Sequence, residues 1–152
     1  MKNFAVYSLP IGFVCIEHYD SKVVSLQILE GEPSDFGSAD SFTDMVYSQL
    51  VEYICSERKE FEIEIDITGC SPFQKAVYKE LQNIPYGQTR SYKQIATAIG
   101  NQKSSRAVGM ANNRNPIHII IPCHRVVGSK GALTGYAAGL ETKDFLLRLE
   151  RG

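Results

Sequence analysis

A thiol, an imidazole and a guanidinium stand side by side in this chain, at Cys123, His124 and Arg125. They follow an apolar run that ends in three consecutive isoleucines at residues 119–121, which predicts burial as a short inner strand or extended segment. Pro122 fixes its own φ, so we expect Cys123 at a rigid bend. A cysteine in such a place is most often a core residue. Cationic neighbours instead favour the thiolate, which is the nucleophilic form of cysteine.

The composition bounds the classes of protein to consider. The 152 residues are 43% hydrophobic and 22% charged, which is ordinary for a globular protein of one or two small domains. The start of the chain is unlike a signal peptide, and no run has the length of a membrane span. The four cysteines show no paired spacing, which predicts a reduced, cytoplasmic protein. Cys15 and His18 form half of a zinc pattern without a second half, so we expect no metal.

Charge is distributed unevenly along the chain. Residues 1–70 hold 4 Lys/Arg and 13 Asp/Glu, a net charge of −9, whereas residues 71–152 hold 12 and 4, a net charge of +8. Each half could simply have a solvated surface. The asymmetry also fits two domains, of which only the second faces a polyanion.

The first half predicts a small α/β domain over residues 1–67. Residues 13–17 and 23–29 are expected to form strands. A helix is expected to begin with a capping box at Ser41 and Asp44 and to continue to about Cys55. The alternation over residues 61–67 is typical of a strand with one wet face.

The second half, residues 68–152, predicts mainly helices. Ser71 as N-cap with Gln74 begins the first helix, whose buried stripe is Phe73, Ala76, Val77 and Leu81. A second capping box at Ser91 begins a helix that stops at Gly100. A third helix should follow over residues 103–112, and the last helix over residues 141–150 should turn Phe145, Leu146 and Leu149 inward.

The second and third of these helices match the helix-turn-helix pattern, although an αα-hairpin without a ligand has the same pattern. The third helix carries Ala107, Gly109 and Ala111, which make it slim. Most helix-turn-helix proteins read the major groove with long polar side chains. This helix is better suited to the minor groove, with little readout of bases.

The hexamer Ile-Pro-Cys-His-Arg-Val at residues 121–126 resembles the active-site signature of the methylated-DNA–protein-cysteine methyltransferases. Asn115-Pro116 and Gly135-Tyr136 resemble the flanks of that signature, and the resemblance runs from about Ser71 to Glu150. It implies an RNase-H-like α/β domain followed by a mostly α-helical, winged helix-turn-helix-like domain.

The activity that this resemblance implies is direct reversal of DNA damage. A monomer would bind double-stranded DNA that contains O6-alkylguanine. It would move a methyl or larger alkyl group from O6 of guanine, or from O4 of thymine, to Cys123. Each molecule would act once, without a cofactor or metal.

The resemblance also assigns roles around the nucleophile. His124 would take the thiol proton through a bridging water, and Glu150 would orient His124 and make it a better base. Asn115 would tie the helix-turn-helix to the active-site segment. Read without the resemblance, Glu150 is an ordinary solvated charge and Asn115 begins a plain Asn-Pro turn.

Further roles concern DNA and the pocket. By resemblance, Arg106 would fill the stack that the extruded base vacates, and Tyr92 would crowd the target phosphate and touch the base. A phosphate contact and ordinary packing are the alternatives for these two residues. The pocket would be formed by the Val126 carbonyl, the Ala137 amide, the Tyr136 ring and, at its mouth, His118 and Thr134.

Three other functions share parts of this pattern. A thiol hydrolase could use Cys123, His124 and Glu150, and it would turn over. A noncatalytic sensor of alkylated DNA is a second alternative, although relatives of that kind replace the cysteine. A transcriptional regulator is a third, although the chain has no added metal-binding sensor domain.

Overall fold

The computed structural model describes residues 2–152, and they divide into two compact units. The first unit contains the chain up to Ile67 together with Pro116–His118. The second unit contains Thr68–Asn115 and Ile119–Gly152.

An antiparallel sheet of three strands organises the first unit. The strands are β1 (Asn3–Leu9), β2 (Gly12–Tyr19) and β3 (Lys22–Ile28), in the spatial order β1-β2-β3. The second and third match the predicted strands, whereas β1 has no counterpart in the prediction. Asp20 and Ser21 join β2 to β3 with φ of 53° and 58°, as a tight hairpin turn requires at both positions.

Helix α1 (Ser41–Ile54) belongs to the same unit and begins one residue earlier than predicted. Its N-cap is Asp40, whose carboxylate accepts from the Thr43 amide at 2.7 Å, while the Thr43 hydroxyl accepts from the Asp40 amide at 2.9 Å. The predicted pair of Ser41 and Asp44 is therefore wrong by one position. A carboxylate at the cap satisfies an amide that the helix leaves unpaired.

Residues 61–67 do not form the predicted regular strand. Only an isolated parallel bridge joins Ile65 to Val23, with the Val23 amide donating to Glu64 and the Asp66 amide to Val23, both at 2.9 Å. The alternating sequence favours an extended backbone, but without a continuous partner it makes no ladder.

Helix α2 (Pro72–Leu81) begins the second unit's helical part as predicted. Ser71 caps it, and the side chain of Gln74 returns the bond to the cap amide at 2.9 Å. The buried stripe differs from the prediction: Ala76 is exposed and Tyr78 is fully buried. Tyr78 is accommodated because its hydroxyl donates to the Ala111 carbonyl at 2.8 Å.

Two short helices follow, α3 (Tyr92–Ala98) and α4 (Ser105–Asn113). The predicted capping box at Ser91 is present, since its hydroxyl accepts from the Gln94 amide at 3.0 Å. Gly100 has φ of 86° after α3, a conformation that glycine adopts at little cost. Helix α4 begins two residues later than predicted and contacts both α2 and α3.

The remaining elements include or follow the hexamer at residues 121–126. A 3-10 turn covers Cys123–Arg125, and β5 (Val126–Val127) pairs in parallel with β4 (Arg90–Ser91). Helix α5 (Leu140–Arg151) ends the unit, and among residues 2–152 no helix is long and apolar enough to cross a bilayer. The inward side chains of α5 include Leu146 as predicted, but not Phe145 or Leu149. The buried set is Lys143, Leu146, Leu147 and Glu150.

The isoleucine run forms a turn and not the predicted strand or extended segment. Ile119 has φ of 70°, which a β-branched residue rarely adopts. Its side chain is buried, at 2% exposure. Such strain persists only where the surroundings impose it, and it concentrates at functional sites.

Candidate active site

Cys123 lies at a tight bend, as the sequence predicts. Pro122 has φ −79° and ψ 65°, and the Cys123 amide donates to the Ile121 carbonyl across it at 2.7 Å. The chain then turns directly into the 3-10 segment. The cysteine side chain is 2% exposed, so the thiol has a fixed position in a nearly dry environment.

The end of α4 fixes the backbone of this bend. The side-chain amide of Asn115 donates to the Ile121 carbonyl at 2.8 Å, and that of Asn112 donates to the Cys123 carbonyl at 3.2 Å. The resemblance implied the first contact. Asn112 is a residue that sequence reasoning missed, because one amide in a slim helix gives no signal of the direction it faces.

Burial dominates the electrostatics of the thiol. It raises the pKa of Cys123 to about 11, against the lowering influence of hydrogen bonds from Asn115 and Tyr136 and of the charge on Lys143. The sequence predicted that His124 and Arg125 favour the thiolate of Cys123. This prediction is wrong, because both side chains pair with Glu150. The positive charge that favours the thiolate is that of Lys143.

His124 is paired with Glu150, although 26 positions separate them in the chain. The imidazole Nε2 lies 2.7 Å from Oε2 of the carboxylate, and neither side chain is more than 1% exposed. Burial lowers the pKa of His124 despite the opposing hydrogen bond and charge of Glu150. A neutral imidazole that donates from Nε2 has its basic lone pair on Nδ1.

Arg125 neutralises the same carboxylate. Its Nε and Nη2 donate to the two oxygens of Glu150 at 2.8 and 2.9 Å, and its Nη1 donates to the Ile84 carbonyl at 2.8 Å. The Gly87 amide adds a fourth hydrogen bond to Glu150 at 3.2 Å. A planar guanidinium gripping both oxygens fixes the orientation of the carboxylate, and through it the plane of the imidazole of His124.

Lys143 is a second residue that sequence reasoning missed. Its side chain is fully buried, its Nζ donates to the Thr134 carbonyl at 2.7 Å, and it lies 6.0 Å from the ring centroid of Tyr92. Burial lowers the pKa of Lys143 to about 8, with the charge of Cys123 opposing. The only signal in the sequence was a lysine on the apolar face of the last helix.

A surface cleft of about 480 Å³ in the second unit is bordered by Tyr92 and Thr134, the two residues that Lys143 contacts. The Tyr92 hydroxyl donates to the Thr134 carbonyl at 3.1 Å and accepts from the Thr134 hydroxyl at 3.3 Å. The lining includes predicted residues from α3, α4 and the loop before α5. It consists of Tyr92, Ser105, Arg106, Gly109, Asn113, Thr134 and Gly135.

The family model for the DNA-binding domain of 6-O-methylguanine DNA methyltransferase matches residues 72–152, which contain every group of the buried cluster. A methylated-DNA–protein-cysteine methyltransferase of Methanosarcina acetivorans is 43% identical, and the match covers 97% of both chains. This chain belongs to the O6-methylguanine DNA methyltransferase family.

Other members of the methyltransferase family match this chain over more than nine-tenths of both lengths. The methylated-DNA–protein-cysteine methyltransferase of Mycolicibacterium paratuberculosis is 44% identical, over 99% of this chain and 93% of its own. The crystal structure of the Mycobacterium tuberculosis O6-methylguanine methyltransferase is 39% identical, with a TM-score of 0.89, over 99% and 93% of the two chains. The M. tuberculosis OGT solved in complex with DNA is 41% identical, with a TM-score of 0.89, over 97% and 92%.

The other residues predicted from the methyltransferase resemblance have varied surroundings. Val126 is fully buried in β5, Tyr136 is buried at 7% exposure, and Ala137 is exposed. On α4, Ala107 is exposed, whereas Ala111 is 4% exposed. Little of Ala111 is therefore presented at the surface, which its packing beside Tyr78 explains.

His118 has a place of its own in the first unit. Its Nδ1 accepts from the Ile28 amide at 3.2 Å, and its backbone amide donates to the Leu26 carbonyl at 2.8 Å. The ring is 2% exposed. These bonds to β3 account for its burial without a ligand, and its part in a pocket remains a prediction.

Proposed function

We propose that this chain is a DNA repair protein that moves a methyl or larger alkyl group from O6 of guanine in double-stranded DNA to Cys123. Transfer from O4 of thymine belongs to the same proposal. The observation that carries it is the buried thiol held at a rigid bend, next to a histidine that Glu150 orients, in a member of this family. The M. tuberculosis relative solved with DNA supports a DNA substrate.

The reaction needs the thiolate form of Cys123, although burial of the thiol disfavours that form. His124 Nδ1 accepts the thiol proton through a bridging water, and Glu150 stabilises the imidazolium that forms. The thiolate then attacks the alkyl carbon, forming an S–C bond as the C–O6 bond breaks. Guanine leaves with the electron pair of that bond and takes up a proton, and Cys123 is left as a thioether.

Lys143 contributes in two ways. Its charge favours the thiolate of Cys123 in a region of low dielectric, where such interactions are strong. Lys143 and Tyr92 also both donate a hydrogen bond to the Thr134 carbonyl. These two bonds hold the loop that borders the cleft. Because the flipped base would occupy the cleft, this loop positions the substrate.

The base must leave the duplex before it reaches Cys123, since a base in the stack is inaccessible. Arg106 lies near the start of α4 and lines the cleft, which supports a role in filling the gap in the stack. Gly109 supports close approach, because it lines the same cleft and adds no side chain to the surface of α4 there. The net charge of +8 in the second half holds the phosphates.

Arg106→Ala tests the extrusion step. The rate of repair in duplex DNA should fall about tenfold or more, in line with a stacking energy of a few kcal/mol. Reaction with free O6-benzylguanine should continue nearly unchanged, because no stack has to be held open. Single-turnover rates on both substrates decide the matter, and equal losses on the two would remove Arg106 from this role.

Labelling tests the transfer itself. DNA carrying O6-methylguanine with an isotopic methyl group is incubated with the protein, and peptides are mapped by mass spectrometry. The label should be found on Cys123 alone. Cys55→Ala is the matched control, since Cys55 is an exposed thiol outside the site and its loss should change nothing. Label on another residue would contradict the proposal.

The finer architecture is part of the same proposal. The sheet and α1 support an RNase-H-like domain over residues 1–67. Helices α3 and α4, with the turn at Ser129–Gly131 as a wing, support a winged helix-turn-helix domain over residues 68–152. We propose that the protein acts as a monomer in the cytoplasm, where thiols such as Cys123 stay reduced.

A further inference from the structure

Met110 is a large apolar side chain that α4 leaves at the surface. It is 52% exposed, whereas Val108 and Ala111 of the same helix are buried. A single exposed apolar side chain is common on folded proteins and needs no explanation by itself. The neighbours of Met110 therefore decide whether its exposure has a function.

The neighbours of Met110 include two exposed arginines. Arg106 precedes it by four residues and Arg114 follows it by four, a spacing that places side chains on one face of a helix. Arg114 is the C-cap of α4, and with Met110 and Ala107 it lines a cleft of about 210 Å³. Within residues 2–152, neither arginine forms an ion pair. The outward face of α4 therefore presents a thioether between two cations.

This arrangement fits the minor groove of duplex DNA. The two cations suit the phosphates that border the groove, while Ala107 and Gly109 keep the rest of the face slim enough to enter it. A side chain that projects from the middle of that face reaches the floor of the groove, where the base edges lie. Methionine is one of the apolar residues that proteins insert there.

We propose that Met110 is a specificity-determining residue that packs on the floor of the minor groove and disfavours G·C pairs there. This inference rests on the proposed function, since it requires a duplex held against α4. In the minor groove, a G·C pair adds the N2 amino group of guanine to the acceptors that every pair presents. A thioether is only a weak acceptor, so covering that amino group with Met110 removes it from water without an adequate partner.

The spacing of Met110 from Arg106 predicts where the preference is found. Four residues of an α-helix span about 6 Å, and successive bases of one strand are about 3.4 Å apart. With Arg106 in the gap that the extruded base leaves, Met110 covers a pair about one or two steps from the lesion.

Inosine tests the inference, because it is guanosine without the N2 amino group. Each duplex carries O6-methylguanine at a fixed position and either guanine or inosine at one neighbouring pair. The Kd values are measured with a Cys123→Ala parent protein, so that no transfer consumes the complex. In this parent, inosine should tighten binding roughly fivefold or more at one or two positions, in line with the cost of a buried donor that lacks a partner.

Variants of Met110 separate its effect from that of inosine on the base pair itself, since both act on the same duplexes. Met110→Ala should lose the preference for inosine, whereas Met110→Leu, which keeps the apolar bulk, should retain it. Met110→Gln has a similar length and an amide oxygen that accepts from the amino group, so guanine should bind at least as tightly as inosine. All three should fold as the parent does, because Met110 is exposed.

Met45→Ala is the control, since Met45 is a partly buried methionine on α1 in the first unit. It should bind every duplex as the parent does. An undiminished preference for inosine in Met110→Ala would overturn the inference, and so would equal Kd values for guanine and inosine in the parent. If the protein with Cys123 intact takes up no methyl group from these duplexes, the proposed function itself is contradicted.

Discussion

The two units each contain a histidine paired with a carboxylate at the same distance. In the first unit, His18 Nε2 lies 2.7 Å from Oδ2 of Asp40, and in the second, His124 Nε2 lies 2.7 Å from Oε2 of Glu150. The first pair is 14% and 36% exposed, whereas the second is 0% and 1% exposed. The chemistry of the pair is shared, so the difference in function must come from its surroundings.

Those surroundings give the two carboxylates different tasks. Asp40 caps α1, and the hydrogen bond from the Thr43 amide, with others from His18 and Asn3, holds its pKa well below the usual range. Glu150 instead accepts two hydrogen bonds from Arg125, and it orients a buried, neutral imidazole. Burial and a third charged partner, and not the pair itself, therefore distinguish the pair that contains the proposed base His124 from the pair that caps a helix.

The largest effect is expected when the buried pair is broken. Glu150→Gln should slow alkyl transfer by about 10²-fold, the lower end of general-base effects, while DNA affinity stays nearly unchanged. The unfolding free energy should fall by about 3–5 kcal/mol, because Arg125 keeps a buried charge without its partner. The rate of alkyl transfer per folded molecule measures the first effect, and denaturant unfolding measures the second.

A double variant separates these two losses. Arg125→Gln with Glu150→Gln removes both charges, so much of the stability should return while the rate stays low. Recovery of the rate together with the stability would show that Glu150 is structural only. In the wild type the rate should fall on the acid side at a pH below the ordinary imidazole value, because burial lowers the pKa of His124 and the protonated ring cannot accept a proton.

An intermediate effect is expected at Lys143. Lys143→Met should slow transfer about tenfold, the change that follows from one unit in the pKa of the thiol. Lys143→Arg keeps the charge and should retain most of the rate. The wild-type rate should rise with pH as Cys123 ionises and flatten near pH 8, where Lys143 loses its proton. A Lys143→Met profile that still flattens there would rule out this assignment.

The smallest effect is expected at the exposed pair. Asp40→Asn should lower the unfolding free energy by less than about 1 kcal/mol, because an exposed ion pair contributes little and asparagine still caps the helix. The rate of alkyl transfer per folded molecule should equal that of the wild type. A loss of rate as large as that of Glu150→Gln would invalidate the contrast between the two pairs.

Much of the second unit could be predicted from local sequence. Capping boxes at Ser71 and Ser91 specify their helix starts through contacts three residues apart, and Pro122 specifies the bend through its own ring. The hexamer predicts that Cys123 is the nucleophile. These features are local, so a single sequence carries them.

The features that could not be predicted from the sequence depend on the direction in which a side chain points or on contacts between residues far apart in the chain. Lys143 and Asn112 face inward from helices whose exact phase the sequence did not specify. The pairing of Glu150 with His124 came only from the resemblance, because 26 positions separate them. The apolar pattern at residues 119–121 suggested a strand, but Ile119 adopts a left-handed conformation that only tertiary packing imposes.

The stoichiometry of repair tests alkyl transfer to Cys123 most directly. Purified protein is mixed with an excess of duplex DNA that contains O6-methylguanine, and repaired guanine is counted over time. Repair should reach a plateau at one guanine per chain, because a thioether is a poor leaving group and Cys123 cannot be regenerated. Cys123→Ala should give no reaction. Repair of clearly more than one lesion per chain would contradict it and would favour a hydrolase that turns over.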